Sequence, residues 1–211
     1  MDYYLNKKTT LGLTISGFYN PEVQDGSNTS YLQNPSKITD SIVYAKSDIK
    51  ELWKNGSVNL NVRHQYDSTG REITADVDYI RYDASNEQEF TNTTYTDNWI
   101  KKYAEVLRGD LPVVIDIYSA RVDYTHPLKN DAKFEVGLKS SYVQTDNRAN
   151  YFELIDGNFQ PDYKKINYFD YKENVNAAYI NFNKQLSKKW GVQAGLRYEN
   201  TNYEGFQYGN P

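Results

Sequence analysis

The sequence predicts an all-β chain, an antiparallel meander of about seven long strands. Three observations carry that prediction. Apolar and polar residues alternate with a period of two through most of the chain. Aromatics make up 15% of the 211 residues, with 21 tyrosines, although only 38% of the chain is hydrophobic. The segments between alternating runs are by turns short and long.

Taken in order, the runs begin with Leu11, Leu13 and Ile15, within a strand predicted at 9–19. Val58, Leu60 and Val62 then alternate with Asn59, Asn61 and Arg63 (56–67), and Ile73, Ala75, Val77 and Tyr79 with Thr74, Asp76 and Asp78 (72–83). Tyr118, Ala120, Val122 and Tyr124 alternate with Ser119, Arg121 and Asp123 (112–126), and Phe134, Val136, Leu138, Ser140 and Tyr142 face away from Glu135, Gly137, Lys139 and Ser141 (132–145). Val192, Ala194, Leu196 and Tyr198 close the series (190–203). Between them, 171–185 is strand-like with two open parities: Val175, Ala177 and Tyr179 compete with Ala178, Ile180 and Phe182. Successive strand side chains point to opposite faces, so each run has one apolar and one polar face.

The short connections, Asp67–Gly70, His126–Asp131 and Ser187–Lys189, read as hairpin turns from their Gly, Asn, Asp, Ser and Pro content. The long ones, 20–55, 84–111 and 146–170, are expected as loops. Within them Asp48–Trp53 and Trp99–Leu107 fit either short helices or strand extensions. Strict alternation puts every tight turn at one end of the sheet and every long loop at the other.

Two environments produce such faces. In a soluble sandwich or binding module, for carbohydrate or protein, the apolar face is the core. In an outer-membrane barrel it meets lipid while the polar face lines the lumen. The strands favour lipid: two of about a dozen residues flank one tight turn between Tyr118 and Tyr142, where soluble strands run about five or six. Tyrosines recur at strand ends, as Tyr66, Tyr79, Tyr118, Tyr124, Tyr142 and Tyr198, suiting a lipid–water boundary. The expected architecture is therefore part of a large transmembrane outer-membrane β-barrel. Against it, four alternating positions span only about 20 Å.

Other classes are set aside on composition. A mean hydropathy of -0.83 and apolar runs no longer than a few residues exclude transmembrane helices. With 24 Lys+Arg against 28 Asp+Glu and both signs interspersed, no basic stripe suggests nucleic acid. The chain has no cysteine, which removes disulfides, thiolate metal sites and a Cys nucleophile.

In the C-terminal third, Tyr171-Lys172-Glu173-Asn174-Val175-Asn176-Ala177-Ala178-Tyr179 leads through a short turn to Gln193-Ala194-Gly195-Leu196-Arg197-Tyr198-Glu199-Asn200-Thr201. This hairpin resembles the barrel of TonB-dependent receptors, specifically the outer-membrane β-barrel family common in Bacteroidota. There an E-N-x-x-A-A-Y strand runs into a G-L-R-x-E-x-T strand. Asp123–Leu128 and Phe134–Lys139 look like the preceding hairpin, while Met1–Leu111 fits by architecture only. The resemblance implies a plugged barrel in a Gram-negative outer membrane importing a scarce nutrient with energy from TonB. Residues 1–211 are then expected as one internal barrel section without signal peptide or plug, its C-terminal Phe206–Pro211 an interrupted loop. The partners implied are outer-membrane lipid, the TonB complex through a plug, and a surface lipoprotein.

No catalytic constellation is present, and no cofactor or metal is predicted. His64, on an apolar face, and His126, in a turn, read as structural; Asp76 and Asp78 read as hydrated lumen charge. What remains is binding by the long loops. Trp99, Tyr103, Tyr151, Phe152 and Phe159 are the candidate ligand contacts, with Trp99 and Tyr151–Phe152 foremost, because exposed aromatics stack on sugars or anchor proteins.

Overall fold

In the computed structural model, which describes residues 1–209, all ten strands join one antiparallel sheet. They are β1 (Asp2–Asn6), β2 (Thr9–Gln33), β3 (Thr39–Gln65), β4 (Glu72–Tyr95), β5 (Lys101–Asp110), β6 (Val113–Leu128), β7 (Ala132–Ile155), β8 (Asn158–Pro161), β9 (Asn167–Gln185) and β10 (Gly191–Tyr208). Each of the seven expected strands coincides with part of one of these to within two residues, as β2, β3, β4, β6, β7, β9 and β10. No helix occurs among the described residues, so Asp48–Trp53 is strand extension, as is Trp99–Leu107 from Lys101 onward.

The three long connections are mostly not loops. β2 and β3 run paired from Thr9/His64 up to Leu32/Ser41, β4 continues to Tyr95, and β7 to Ile155. The hairpin tips are only Asn34–Ile38, Thr96–Ile100 and Asp156–Gly157, with Lys37, Trp99 and Asp156 at positive φ. In the first tip Asn34 Oδ1 accepts the backbone N–H of Ser36 (3.0 Å) and of Ile38 (3.1 Å). Two further expectations are corrected nearby. His126 belongs to β6, opposite Phe134, so that turn is only Lys129–Asp131. Phe206–Tyr208 continue β10 instead of starting a loop, while Asn210 and Pro211 lie outside the described residues.

β5 and β6 act as one strand broken at Leu111–Pro112. The register against β4 is unchanged across the break, from Glu87↔Asp110 to Ala84↔Val113, and Leu111 N–H still bonds Asn86 O at 2.9 Å. On the other side Arg148 donates to Pro112 O (3.1 Å), but Pro112 has no N–H to return. The ladder to β4 is thus continuous, and the ladder to β7 loses a bond.

Register aligns all the alternating runs on one side of the sheet. Leu13, Leu60, Val77 and Ala120 lie level, as do Leu11, Val62, Ala75, Val122, Leu138, Ala178 and Tyr198. The parity of β9 is thereby settled: Ala178, Ile180 and Phe182 share this outward face, and Val175, Ala177 and Tyr179 take the other. The top of the belt falls from Ile15 on β2 to Tyr198 on β10, which is level with Leu11. That slide of four residues across six strand spacings corresponds to a strand tilt of roughly 25°.

Aromatic rows bound the belt on both sides. Above, Tyr79 stacks on Tyr118 (5.0 Å between ring centres), which meets Tyr142 (6.4 Å). Below, His64, Tyr66, Tyr124 and His126 form a chain of ring contacts. From Tyr118 to His126 is about 27 Å along β6, which matches the height of a lipid-facing band.

Among the described residues nothing packs on this belt. Leu196 and Tyr198 are 73% and 70% exposed, and the chain exposes 14755 Å², where a compact monomer of its length would expose roughly 10,000 Å². Among the described residues only Ile42, Ala84, Ala132 and Ala177 are buried hydrophobics. A soluble two-layer module would seal Leu196 and Tyr198 in a core. The single-layer wall does not.

Candidate functional site: the inward wall

The inward face changes character with height. At belt level it is charged. Arg121, beside Asp123 in an ion pair (2.5 Å), donates from Nε to Tyr179 Oη (3.1 Å), and Tyr179 Oη–H bonds Asp123. Arg197 pairs with Glu199 (2.5 Å) and its guanidinium lies over the Tyr179 ring at 5.8 Å. Asp78 accepts from Asn59 Nδ2 (2.7 Å) and Ser119 Oγ (2.8 Å). The two ion pairs join residues two apart on one strand, and the contacts of Tyr179 and Asp78 cross between strands; alternation makes both possible by putting these side chains on the face opposite the belt. Arg121, Lys139, Tyr179 and Arg197 border a cleft of about 540 Å³.

Tyr179 can cross its neighbour because that neighbour is Gly137. A Cβ at 137 would collide with the Tyr179 ring and with Asp123. At other inward glycines, too, a side chain from the adjacent strand crosses: Asn61 over Gly12, Tyr151 over Gly109 and Asn181 over Gly195.

Above the belt the apolar parity inverts. On β6 the outward run Tyr124–Tyr118 gives way to Ile117, Ile115 and Val113, all inward; on β4 Tyr79 is followed by inward Ile80, Tyr82 and Ala84. Ile80, Ile117 and Val143 lie level, with Tyr82 and Ile115 one step higher and Ala84 and Val113 above them. Phe18 approaches Tyr82 at 6.4 Å, and Trp53 donates Nε1–H to Glu51 (2.8 Å). The outward face here carries ion pairs instead: Arg81–Asp116 (3.0 Å), Arg108–Glu89 (2.8 Å) and Arg148–Asp146 (3.0 Å). The hydrogen bond from Arg148 holds the Asp146 carboxyl below the usual carboxylate range.

The five aromatic candidates do not converge. Tyr103 and Tyr151 face inward, with Tyr103 opposite Thr94 near a tip and Tyr151 beside Gly109 several steps lower. Phe152 faces outward opposite Arg108, and Phe159 on β8 also packs outward, with the Arg108 guanidinium 3.9 Å above its ring. Trp99 occupies the β4–β5 tip against Tyr95 (5.4 Å). The inward aromatics just above the belt are Phe18, Trp53 and Tyr82; Trp53 falls in a segment expected as a loop, which has no assigned face, while Phe18 and Tyr82 fall at the ends of expected strands, on the parity opposite the apolar run. The usable signal was the switch of apolar parity after Tyr79 and before Tyr118. Among the described residues no group of His, Cys, Asp and Glu could hold a metal ion.

No curated protein sequence matches the chain. Among solved structures, the ferripyoverdine receptor of the outer membrane of Pseudomonas aeruginosa is similar at 10% identity with a TM-score of 0.37, over 94% of this chain and 38% of the receptor. The ferric yersiniabactin uptake receptor of Yersinia pestis is similar at 10% identity with a TM-score of 0.32, over 96% of this chain and 39% of that one. The chain thus spans under two-fifths of the length of either receptor. Residues 64–211, covering the belt from the end of β3 through β10, match the model of the outer membrane protein beta-barrel family, and the chain belongs to that family of the bacterial outer membrane.

Proposed function

We propose that residues 1–211 form one section of the barrel of a TonB-dependent receptor, a non-catalytic protein that takes up a scarce nutrient across the outer membrane. The observation that carries this reading is the asymmetry of the wall. On one side of the belt the strands end at once in tight turns; on the other they continue for up to about 60 Å beyond Ile15, with Phe18, Trp53 and Tyr82 on the inward face just above the belt. A simple pore needs no such raised, lined vestibule. The E-N-x-x-A-A-Y and G-L-R-x-E-x-T strands, Glu173–Tyr179 and Gly195–Thr201, add sequence support, since they pair with each other as β9 and β10.

In this reading the belt contacts outer-membrane lipid, the TonB complex acts through a plug domain, and a surface lipoprotein is a candidate partner at the hairpin tips, where Tyr31, Leu32, Ile38, Trp99 and Ile100 are exposed. The test is uptake by cells expressing the protein, with and without a functional TonB system. Uptake that disappears with TonB supports the reading. Solute flux that persists without TonB, seen also as swelling of liposomes holding the purified protein, overturns it.

A further inference from the structure

The lower rim of the belt carries an unbalanced charge. The β6–β7 and β9–β10 turns lie side by side there: Ala132 pairs with Lys184, and Gln185 N–H donates to Asp131 O (3.4 Å). Lys129, Lys188 and Lys189 stand in these two turns. Lys184 is outward, in the row Leu128, Ala132, Lys184 and Val192, one step below Phe182. Among the described residues the lysines in ion pairs are Lys46, Lys54, Lys133 and Lys165, so these four have no carboxylate partner. Glu135 on the adjoining strand is inward and held by Lys133 (2.6 Å), and Asp131 is the one acidic residue in the two turns. Other hairpin ends are not basic. The β3–β4 turn pairs Asp67 with Arg71 (3.2 Å), and the tips at 96–100 and 156–157 hold Asp97 and Asp156 with no Lys or Arg.

The position of the patch selects its partner. The outward residues just above it, Ile180, Phe182 and Ala194, belong to the belt, so the layer met next is that of the lipid headgroups. Lys184 can keep its stem on an apolar row while its ammonium lies among headgroups. Trp190 and Leu186 are 72% and 58% exposed at the same rim, and an indole suits that boundary. The turn that carries Lys188 and Lys189 is ordered by its own bonds: Leu186 and Ser187 N–H donate to Trp190 O (2.9 and 3.0 Å), and Ser187 Oγ accepts from Trp190 N–H (3.2 Å). Basic clusters at a membrane surface attract anionic lipid, and one phosphate accepts from several ammonium groups at once. An acidic protein segment would match the charge but not an indole and a leucine exposed at headgroup depth.

We propose that Lys129, Lys184, Lys188 and Lys189, with Trp190, form a binding site for the phosphate headgroup of an anionic phospholipid, in the leaflet on the tight-turn side. This rests on the belt's contact with lipid and names the class of lipid held at one point of its rim. It needs neither TonB nor uptake.

The test is fluorescence of the protein reconstituted in phosphatidylcholine vesicles with a minor fraction of phosphatidylglycerol, one lipid or the other carrying bromine on its acyl chains. The emission lost in Trp190→Phe isolates the share of that residue. Brominated phosphatidylglycerol should quench Trp190 as though enriched roughly fivefold or more around it, and the enrichment should fall towards one in about 0.5 M salt. The triple variant Lys129→Gln/Lys188→Gln/Lys189→Gln should bring it below about twofold. The matched variant Lys37→Gln/Lys101→Gln/Lys164→Gln, at the raised end, should leave it unchanged. Quenching of the unaltered protein by both lipids alike, in which no variant is involved, overturns the proposal and leaves the belt standing. Enrichment that survives in the rim variant overturns it too. Quenching of Trp190 by neither lipid overturns both the site and the placement of this rim in the membrane.

Discussion

The lower and upper halves of this sheet use the same alternation in opposite senses. Below Tyr79, Tyr118 and Tyr142 the outward positions are apolar and the inward ones charged; above them the inward positions of β4 and β6 are apolar and the outward ones carry ion pairs. One strand serves both by shifting its apolar phase by a single residue, at Ile117/Tyr118 on β6 and at Tyr79/Ile80 on β4. The solvent on the outside decides the phase. Hydrocarbon demands apolar side chains and leaves the lumen as the wet side. Beyond the headgroups both faces are wet, and the apolar residues are free to line the interior.

The largest effect expected from this contrast is a charge placed outward at two heights. Val77→Arg, between Leu60 and Ala120 in mid-belt, should cost about 2–4 kcal/mol in urea unfolding from vesicles. Val23→Arg, outward on the raised hairpin, should cost less than about 0.5 kcal/mol. Equal costs would break the assignment of the belt to lipid. At belt level inside the wall, Gly137→Ala should cost about 1–3 kcal/mol, because the new methyl displaces Tyr179. Adding Tyr179→Ala should recover part of that loss, and a double mutant no better than the single would mean that Tyr179 is not the obstacle. Ile117→Ala, half-buried on the raised inward face, should cost about 1 kcal/mol, and a far larger loss would indicate a second layer packed on that face. The smallest effect belongs to the lower rim. Thr69 donates its hydroxyl and N–H to Asp67, with Arg71 adding attraction, and this holds the Asp67 carboxyl below its ordinary value of 3.8. A lowered folded value means the stabilisation is present above that ordinary value and lost as pH falls through the folded one. Asp67→Asn should therefore lower stability slightly at neutral pH, leave it unchanged below the folded value, and so flatten the acid limb of the stability profile; an unaltered acid limb would show that the turn does not need the charge.

The belt was legible in the sequence because one solvent acts on one face there, as in Phe134, Val136 and Leu138 or Val192, Ala194 and Leu196. β9 was ambiguous because its inward face is itself apolar, with Val175, Ala177 and Tyr179 beside Gly137 and Gly195. The raised hairpins were taken for loops because Asn20–Ser30 and Asp83–Asn92 alternate polar with polar. What makes them strands is the ladder to their neighbours, such as Glu22↔Glu51↔Asn86, which pairing across the sheet supplies and local pattern does not show. The same gap hid Trp53, and Phe18 and Tyr82 escaped because they stand at strand ends on the parity opposite the apolar run, while Trp99, Phe152 and Phe159 drew attention by residue type alone. β5 and β8 were missed for a related reason: each is a short piece of ladder whose partner is a strand extension.

The inward glycines have a consequence for the texture of the wall. A tyrosine at 179 beside an alanine would stand up from the backbone. Laid across Gly137 it becomes part of the lining, so its hydroxyl and the guanidinium next to it present a flush, wettable surface in place of a ridge.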